Sequence, residues 1–217
     1  MTAQVMPVIG NIPDLFENTL NLYEGDLVWY FPIIASAPNI NAPYHNLRHM
    51  LHTTMLCYDA LLFHKKSGSE LPLGRPLLKG GLFHDYGHLA GKAKTDDENI
   101  EIAVVGLYTH IHDNDLINVG NIEGWMRSTL YPHRGPARNV YEAILRDADK
   151  AQAFSSAWIQ QIGVGLAEEM GISMREMLEK QVTFLRNLKF ESAWGRFTFE
   201  KHIPAKIEET QRVLRLL

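Results

Sequence analysis

The 217-residue sequence predicts an all-α domain, and three observations carry that expectation. Apolar residues recur three and four positions apart through most of the chain, the spacing that lines one side of a helix. Several of these stretches open on helix-start residues: Asn41-Ala42-Pro43, Asp96 or Asp97, and Pro136. No stretch alternates convincingly between apolar and polar residues with the period of two that a half-buried strand requires, and no repeat or low-complexity segment intervenes.

Residues 1–13 hold apolar residues without period and two prolines, and read as an extended arm. Leu15, Phe16, Thr19, Leu20 and Tyr23 then follow helical spacing behind an Asp14 cap, over residues 14–23. Trp29-Tyr30-Phe31-Pro32 and Pro38-Asn39 suggest an irregular connection that plugs the core with aromatic rings, so residues 1–40 read as an N-terminal arm packed on the domain. Asn41 as cap and Pro43 in the first turn predict a helix over 44–66. His45, His49, His52 and Leu56 share one side of it, while Leu47, Met50, Leu51 and Leu61 spread over the others, which makes the helix central. Residues 67–75 form a polar loop. A second helix over 76–89 carries Leu78, Leu82, Tyr86 and Leu89 on one face and His84, Asp85 and His88 on the adjoining one. Gly91 starts a break, and Asp96 or Asp97 caps a third helix striped by Ile100, Ala103, Val104 and Leu107 that reaches His110. Residues 113–121 read as loop and 122–130 as a short helix. Pro136 opens a long helix toward Ile162, and amphipathic helices follow over 166–188 and 197–217.

Composition bounds the function. Hydrophobic residues make up 46% and charged residues 21%, which suffices for one globular domain over 1–217. The net charge of −4 argues against a nucleic-acid groove. Cys57 is the only cysteine, so an intrachain disulfide and a thiolate zinc site are excluded, and its register makes it a small buried hydrophobe. No Lys or Arg precedes Arg48, so the basic start of a secretory signal is missing. The longest apolar run, residues 27–37, contains Pro32 and is too short to span a bilayer. A cytoplasmic protein with no membrane partner is the expectation, and a homo-oligomer stays open.

The chemistry concentrates in two motifs, Tyr44-His45-Asn46-Leu47-Arg48-His49 and His84-Asp85-Tyr86-Gly87-His88. Imidazoles four apart lie one above the other on a helix, and neutral imidazole ligates divalent cations well. Adjacent His84 and Asp85 can both reach one cation. With His49 and one carboxylate from Leu145-Arg146-Asp147-Ala148-Asp149-Lys150, they form a mixed nitrogen and oxygen set suited to Zn, Mn, Fe or Mg. Arg48, Lys92, Lys94 and Lys150 are candidate phosphate contacts, none fixed by spacing. The run His133-Arg134-Gly135-Pro136-Ala137-Arg138 reads as a solvated turn or as a basic cover for the pocket.

These residues resemble the HD-domain metal-dependent phosphohydrolases, whose ordered pattern is His, then His-Asp, then a distant Asp commonly preceded by Ala. Here it reads His49, His84-Asp85 and Ala148-Asp149, which selects Asp149 over Asp147 as fourth ligand; the resemblance spans roughly residues 44–154. Within that superfamily, Tyr44-His45-Asn46-x-x-His49 and His84-Asp85-x-x-His88 are similar to the class I cyclic-nucleotide phosphodiesterases. Asp97-Glu98-Asn99-Ile100-Glu101 is loosely like their acidic segment supporting a second metal, although the paired histidines that follow there are absent. Gln181-Val182-Thr183-Phe184 resembles their nucleobase-gripping segment.

The resemblance implies a helical bundle holding two divalent cations bridged by Asp85, with a metal-activated water attacking phosphorus. It implies His45 as general acid, His88 orienting the water or approaching the second metal, Glu101 in support and His110 as a candidate second-metal ligand. Arg48, Lys92, Gln181 and Phe184 become candidate contacts for a small nucleotide substrate. The expected activity is hydrolysis of a cyclic nucleotide or similar diester. A nucleotidase or deoxynucleoside triphosphate hydrolase on the same core is the alternative, and a catalytically silent nucleotide-binding module is the alternative of another class. His52, His64, His112 and His202 are expected as packing or surface residues.

Overall fold

The computed structural model describes residues 26–92 and 95–217, and among them the architecture is all-α, with helices joined by turns and no strand. The arm expected over 1–13, the helix over 14–23 and Lys94 lie outside the described residues. Buried apolar residues from Leu27 to Phe199 join in one core cluster. No helix among the described residues is long and apolar enough to cross a membrane.

The aromatic stretch expected as an irregular connection is instead a helix, α1 (Asp26–Ala35), with Pro32 inside it. An internal proline costs about 3 kcal/mol. Leu27, Tyr30 and Ile34 are all buried, each stabilising by about 1.5–3 kcal/mol, so the tertiary contact outweighs the local preference. Tyr30 meets Phe83 edge to face at 5.6 Å.

The central helix α2 (Leu47–Lys66) starts later than the sequence suggests, and Asn46, not Asn41, is its cap. The Asn46 side chain accepts the His49 amide at 3.2 Å, and its own amide donates to Ala42 O at 2.9 Å. Tyr44 N and His45 N donate to the Glu169 carboxylate at 2.8 and 3.0 Å, which holds them out of the helix. His45 therefore stands before α2, not one turn along it from His49. The N-terminal half of α2 is buried on every side from His49 to Thr54, as a central helix must be.

Helix α3 (Gly74–Phe83) packs against α2 so closely that a Cβ on Gly81 would lie 3.0 Å from Thr54 Cα. It ends at Phe83, short of the expected residue 89, because Gly87 turns the chain with φ +74°. His84 and Asp85 thus sit in the turn that closes α3. Asn39 pins that turn: its Oδ1 accepts Gly87 N and its Nδ2 donates to Asp85 O, both at 2.8 Å. Helix α4 (Asp96–His110) reaches His110 as expected, with Asp96, Asp97 and Glu98 in the first turn facing the positive end of the helix dipole; its cap is Thr95.

A 3₁₀ turn (Asp113–Asn118) replaces the expected loop and leads into α5 (Val119–Ser128). Helix α6 (Val140–Lys150) starts at Asn139, whose side chain accepts from Tyr141 N and Glu142 N, and not at Pro136. The long helix expected toward Ile162 is broken into α6, a buried 3₁₀ turn (Ala151–Phe154) and a π-helix (Ile159–Leu166). The next expected helix is divided too. Helix α7 (Ala167–Met170) stops at Gly171, φ +64°, and Ser173 and Glu176 form a capping box that starts α8 (Met174–Asn187). Helix α9 (Ala193–Phe199), a 3₁₀ turn and α10 (Ile203–Leu214) complete the chain. Cys57 is buried and free.

Candidate metal centre

Helix α2, the turn closing α3 and the last turn of α6 bring His49, His84, Asp85 and Asp149 together. His49 Nε2 lies 3.2 Å from His84 Nε2, 3.1 Å from Asp85 Oδ2 and 3.0 Å from Asp149 Oδ1. His84 Nε2 lies 3.0 Å from Asp85 Oδ2 and 3.7 Å from Asp149 Oδ1. Donors held about 2.0–2.2 Å from one cation are separated by about 3.0–3.5 Å, so this set fits a single divalent ion. Its two imidazoles and two carboxylates are the donor types that Zn, Mn, Fe or Mg accept.

Local structure aims these donors. His84 Nδ1 donates to Gly81 O at 2.8 Å, which leaves the Nε2 lone pair facing the cluster. His84 and His49 are buried. Burial opposes charge on His49, yet its hydrogen bonds to the Asp149 and Asp85 carboxylates outweigh it and raise its pKa. The same contest, with Asp85 as the strongest opposing influence, lifts His84 well above the ordinary imidazole value. Burial alone would raise both carboxyl pKa values, but the imidazoles hold Asp85 well below the usual range and lower Asp149 too. The point where the four meet is therefore a place built for positive charge, and a divalent cation meets that demand.

A second group shares Asp85: ligand atoms of His45, Asp85 and His88 lie within 4.8 Å of one another. His45 and His88 stack at 3.6 Å between ring centroids, 20° from parallel. His45 Nδ1 lies 2.6 Å from Glu169 Oε2. Burial pushes the Glu169 pKa up, but the hydrogen bond from His45 prevails and holds it below the ordinary value, so the imidazole Nδ1 donates and Nε2 is left free. His88 Nδ1 accepts Ala90 N at 3.0 Å, and Asn99 Nδ2 lies 2.9 Å from Nε2. Leu89 N donates to Asn99 Oδ1, which orients the amide. Burial, then the neighbouring His45, pushes His88 down to about 4, so it is neutral at pH 7. Tyr44 completes the wall, its ring 4.8 Å from that of His49; burial and then the charge of Asp149 raise its phenol pKa well above 10.

The other expected site residues stand elsewhere. Glu101 faces solvent on α4, paired with Arg127, because the inward face of α4 at this level belongs to Asn99 and Ile100. His110 Nε2 is engaged by Tyr86 OH at 3.1 Å and belongs to neither candidate ligand group. Arg48 reaches Gln160 Oε1 at 3.4 Å, and Lys92 is exposed beyond Gly91. Lys150 donates to Lys189 O. Gln181 is buried on α8, whereas Phe184 packs edge-on against Tyr131 at 6.1 Å, so the two do not form a clamp at the cluster. Asp147, the rejected neighbour of Asp149, accepts Ser192 N at 2.7 Å and serves the backbone. Of the histidines expected as packing or surface residues, His52 is buried, His64 is half-buried, and His112 and His202 are exposed.

Glu169, Asn99 and Asn39 contribute to the site and were not anticipated. Asn99 carried a signal, since it continues inward the stripe of Ile100, Ala103, Val104 and Leu107. Glu169 and Asn39 carried none, because their partners are distant in sequence. No protein-family model and no curated protein matches the chain.

Proposed function

We propose that the chain is a metal-dependent phosphohydrolase of the HD-domain kind that hydrolyses a phosphoester of a nucleotide, a cyclic nucleotide or similar diester. The observation that carries this reading is the convergence of His49, His84, Asp85 and Asp149 within ligating distance of one another, with His45 beside Asp85 and gripped by Glu169.

His49, His84, Asp85 and Asp149 would hold the cation. When bound there, a divalent ion polarises a phosphoryl oxygen and lowers the pKa of water, so that a nucleophile is available near neutral pH. The remaining chemistry belongs to side chains. Glu169 fixes the His45 tautomer by accepting from Nδ1, and Nε2 is the atom from which a proton passes to the leaving oxygen. The stacked His88, neutral and held by Ala90 N and Asn99, keeps His45 from turning away. Asp85 belongs to both groups and sets the distance between the metal and the acid. A second cation at His45, Asp85 and His88 would take the His45 nitrogen assigned here to proton transfer and compete with Ala90 N and Asn99 for His88; one tightly held ion per chain is the reading we adopt.

The test is a hydrolysis panel of cyclic nucleotides, linear diesters, nucleoside monophosphates and deoxynucleoside triphosphates, with Mn, Mg and Zn supplied separately and metal content measured on the same sample. Monoester product without free phosphate supports the diesterase reading. Release of phosphate or triphosphate transfers the protein to the nucleotidase or triphosphohydrolase reading. A metal-loaded sample inert to the whole panel overturns the enzymatic account in favour of a silent module.

A further inference from the structure

A second polar cavity lies between α4, α5 and α6 and shares no residue with the metal centre. It has about 140 Å³ open to water, the volume of roughly four to five water molecules. Arg127, Arg134, Arg146 and Asp97 are among the residues that line it, and each arginine has a carboxylate partner. Ile100 and Leu130 supply an apolar wall that lowers the local dielectric and strengthens attraction for an anion.

The three arginines are held differently. Arg146 is only 6% exposed and anchored: Nε donates to Ser128 O and Nη1 to Gly135 O, both at 2.8 Å, and Nη1 also faces Glu191. Its Nη2 takes no part in those bonds. A guanidinium held rigidly by its other nitrogens, on a residue that lines the cavity, can offer Nη2 as a fixed donor. Arg127 is bound to Glu101 and Glu123, neither of which lines the cavity. Arg134, which is highly exposed, is tied only to Asp97, at 2.6 Å, and can exchange that partner for another acceptor. One rigid guanidinium, Arg146, and one exposed and exchangeable one, Arg134, can together present donors to the oxygens of a small tetrahedral anion.

We propose that this cavity binds a free phosphate oxyanion, with Arg146 Nη2 as the fixed donor and Arg134 leaving Asp97 to close on the ligand. Arg134 stands in the 133–138 run, which gives that basic segment a role at this cavity and not at the metal centre. The proposal does not depend on the hydrolase reading.

The test is calorimetric titration of the chelator-treated full chain with inorganic phosphate, repeated on Arg134→Glu, Arg134→Ala and His49→Ala. The exposed Arg134 can be replaced without disturbing the core, whereas Arg146 is structural and is left intact. Saturable binding is expected in the wild type and in His49→Ala, weakened by roughly tenfold or more in Arg134→Glu and less in Arg134→Ala. Absence of saturable binding at millimolar phosphate, equal binding by wild type and Arg134→Glu, or loss of binding in His49→Ala would each overturn it.

Discussion

Glu169 Oε2 lies 2.6 Å from His45 Nδ1, although 124 residues separate them. The same carboxylate accepts Tyr44 N and His45 N, so one side chain sets both the backbone path into α2 and the tautomer of the imidazole at its mouth. In the reading proposed above, this contact separates the role of His45 from that of His49, four residues on.

Replacing Glu169 with Gln retains an acceptor for the two backbone amides and removes the carboxylate that accepts from His45 Nδ1 and fixes the orientation of the ring. We expect the hydrolysis rate to fall by about 10²–10⁴-fold while metal content is unchanged. Steady-state kinetics beside elemental analysis measures both, and a full rate in Glu169→Gln would detach His45 from acid catalysis.

The metal cluster predicts a division among variants. His49→Ala, Asp85→Ala and Asp149→Ala are expected to lose the ion, and His45→Ala to keep it and lose turnover. Retained activity in Asp85→Ala defeats the assignment, because Asp85 belongs to both candidate ligand groups.

Gly91 and Gly171 test how the Glu169 segment is held. Both have positive φ, 80° and 64°. A Cβ on Gly91 would lie 2.0 Å from Glu169 O, whereas one on Gly171 meets open space. Alanine at Gly171 should cost about 1–2 kcal/mol of stability in urea unfolding, with the rate preserved. Alanine at Gly91 should cost more and slow the reaction as well, since Glu169 must move. Equal rates in the two variants would show that the backbone contact at Gly91 has no part in placing Glu169.

His52 should make the metal-free protein acid-sensitive. Burial pushes its pKa from 6.5 down to about 4. Above pH 6.5 the ring is neutral in both folded and unfolded chains and contributes nothing. As pH falls from 6.5 toward 4 the unfolded chain takes up the proton first, so stability drops by up to about 3 kcal/mol. His52→Gln should flatten the stability curve over that window relative to wild type, measured by urea unfolding of chelator-treated samples. Parallel curves would mean that His52 titrates alike in the two states.

By itself the sequence determined the helical class, the central position of α2 and the order of the candidate ligands. These rest on local signals: apolar spacing around 3.6 residues, and chemically distinctive pairs such as His84-Asp85. The break at Gly171, with Ser173 and Glu176 after it, carried a local stop and start signal that the single helix expected over 166–188 passed over. Tertiary structure alone decided that α1 tolerates Pro32, that α2 begins at Asn46, and that Glu101 turns out to Arg127. It alone supplied His45 with Glu169 and the turn at Asp85 with Asn39. Spacing along a chain says which side of a helix a residue occupies, but a hydrogen bond works over about 3 Å and in one direction. Its partner is chosen by how distant elements pack, and no local pattern carries that choice.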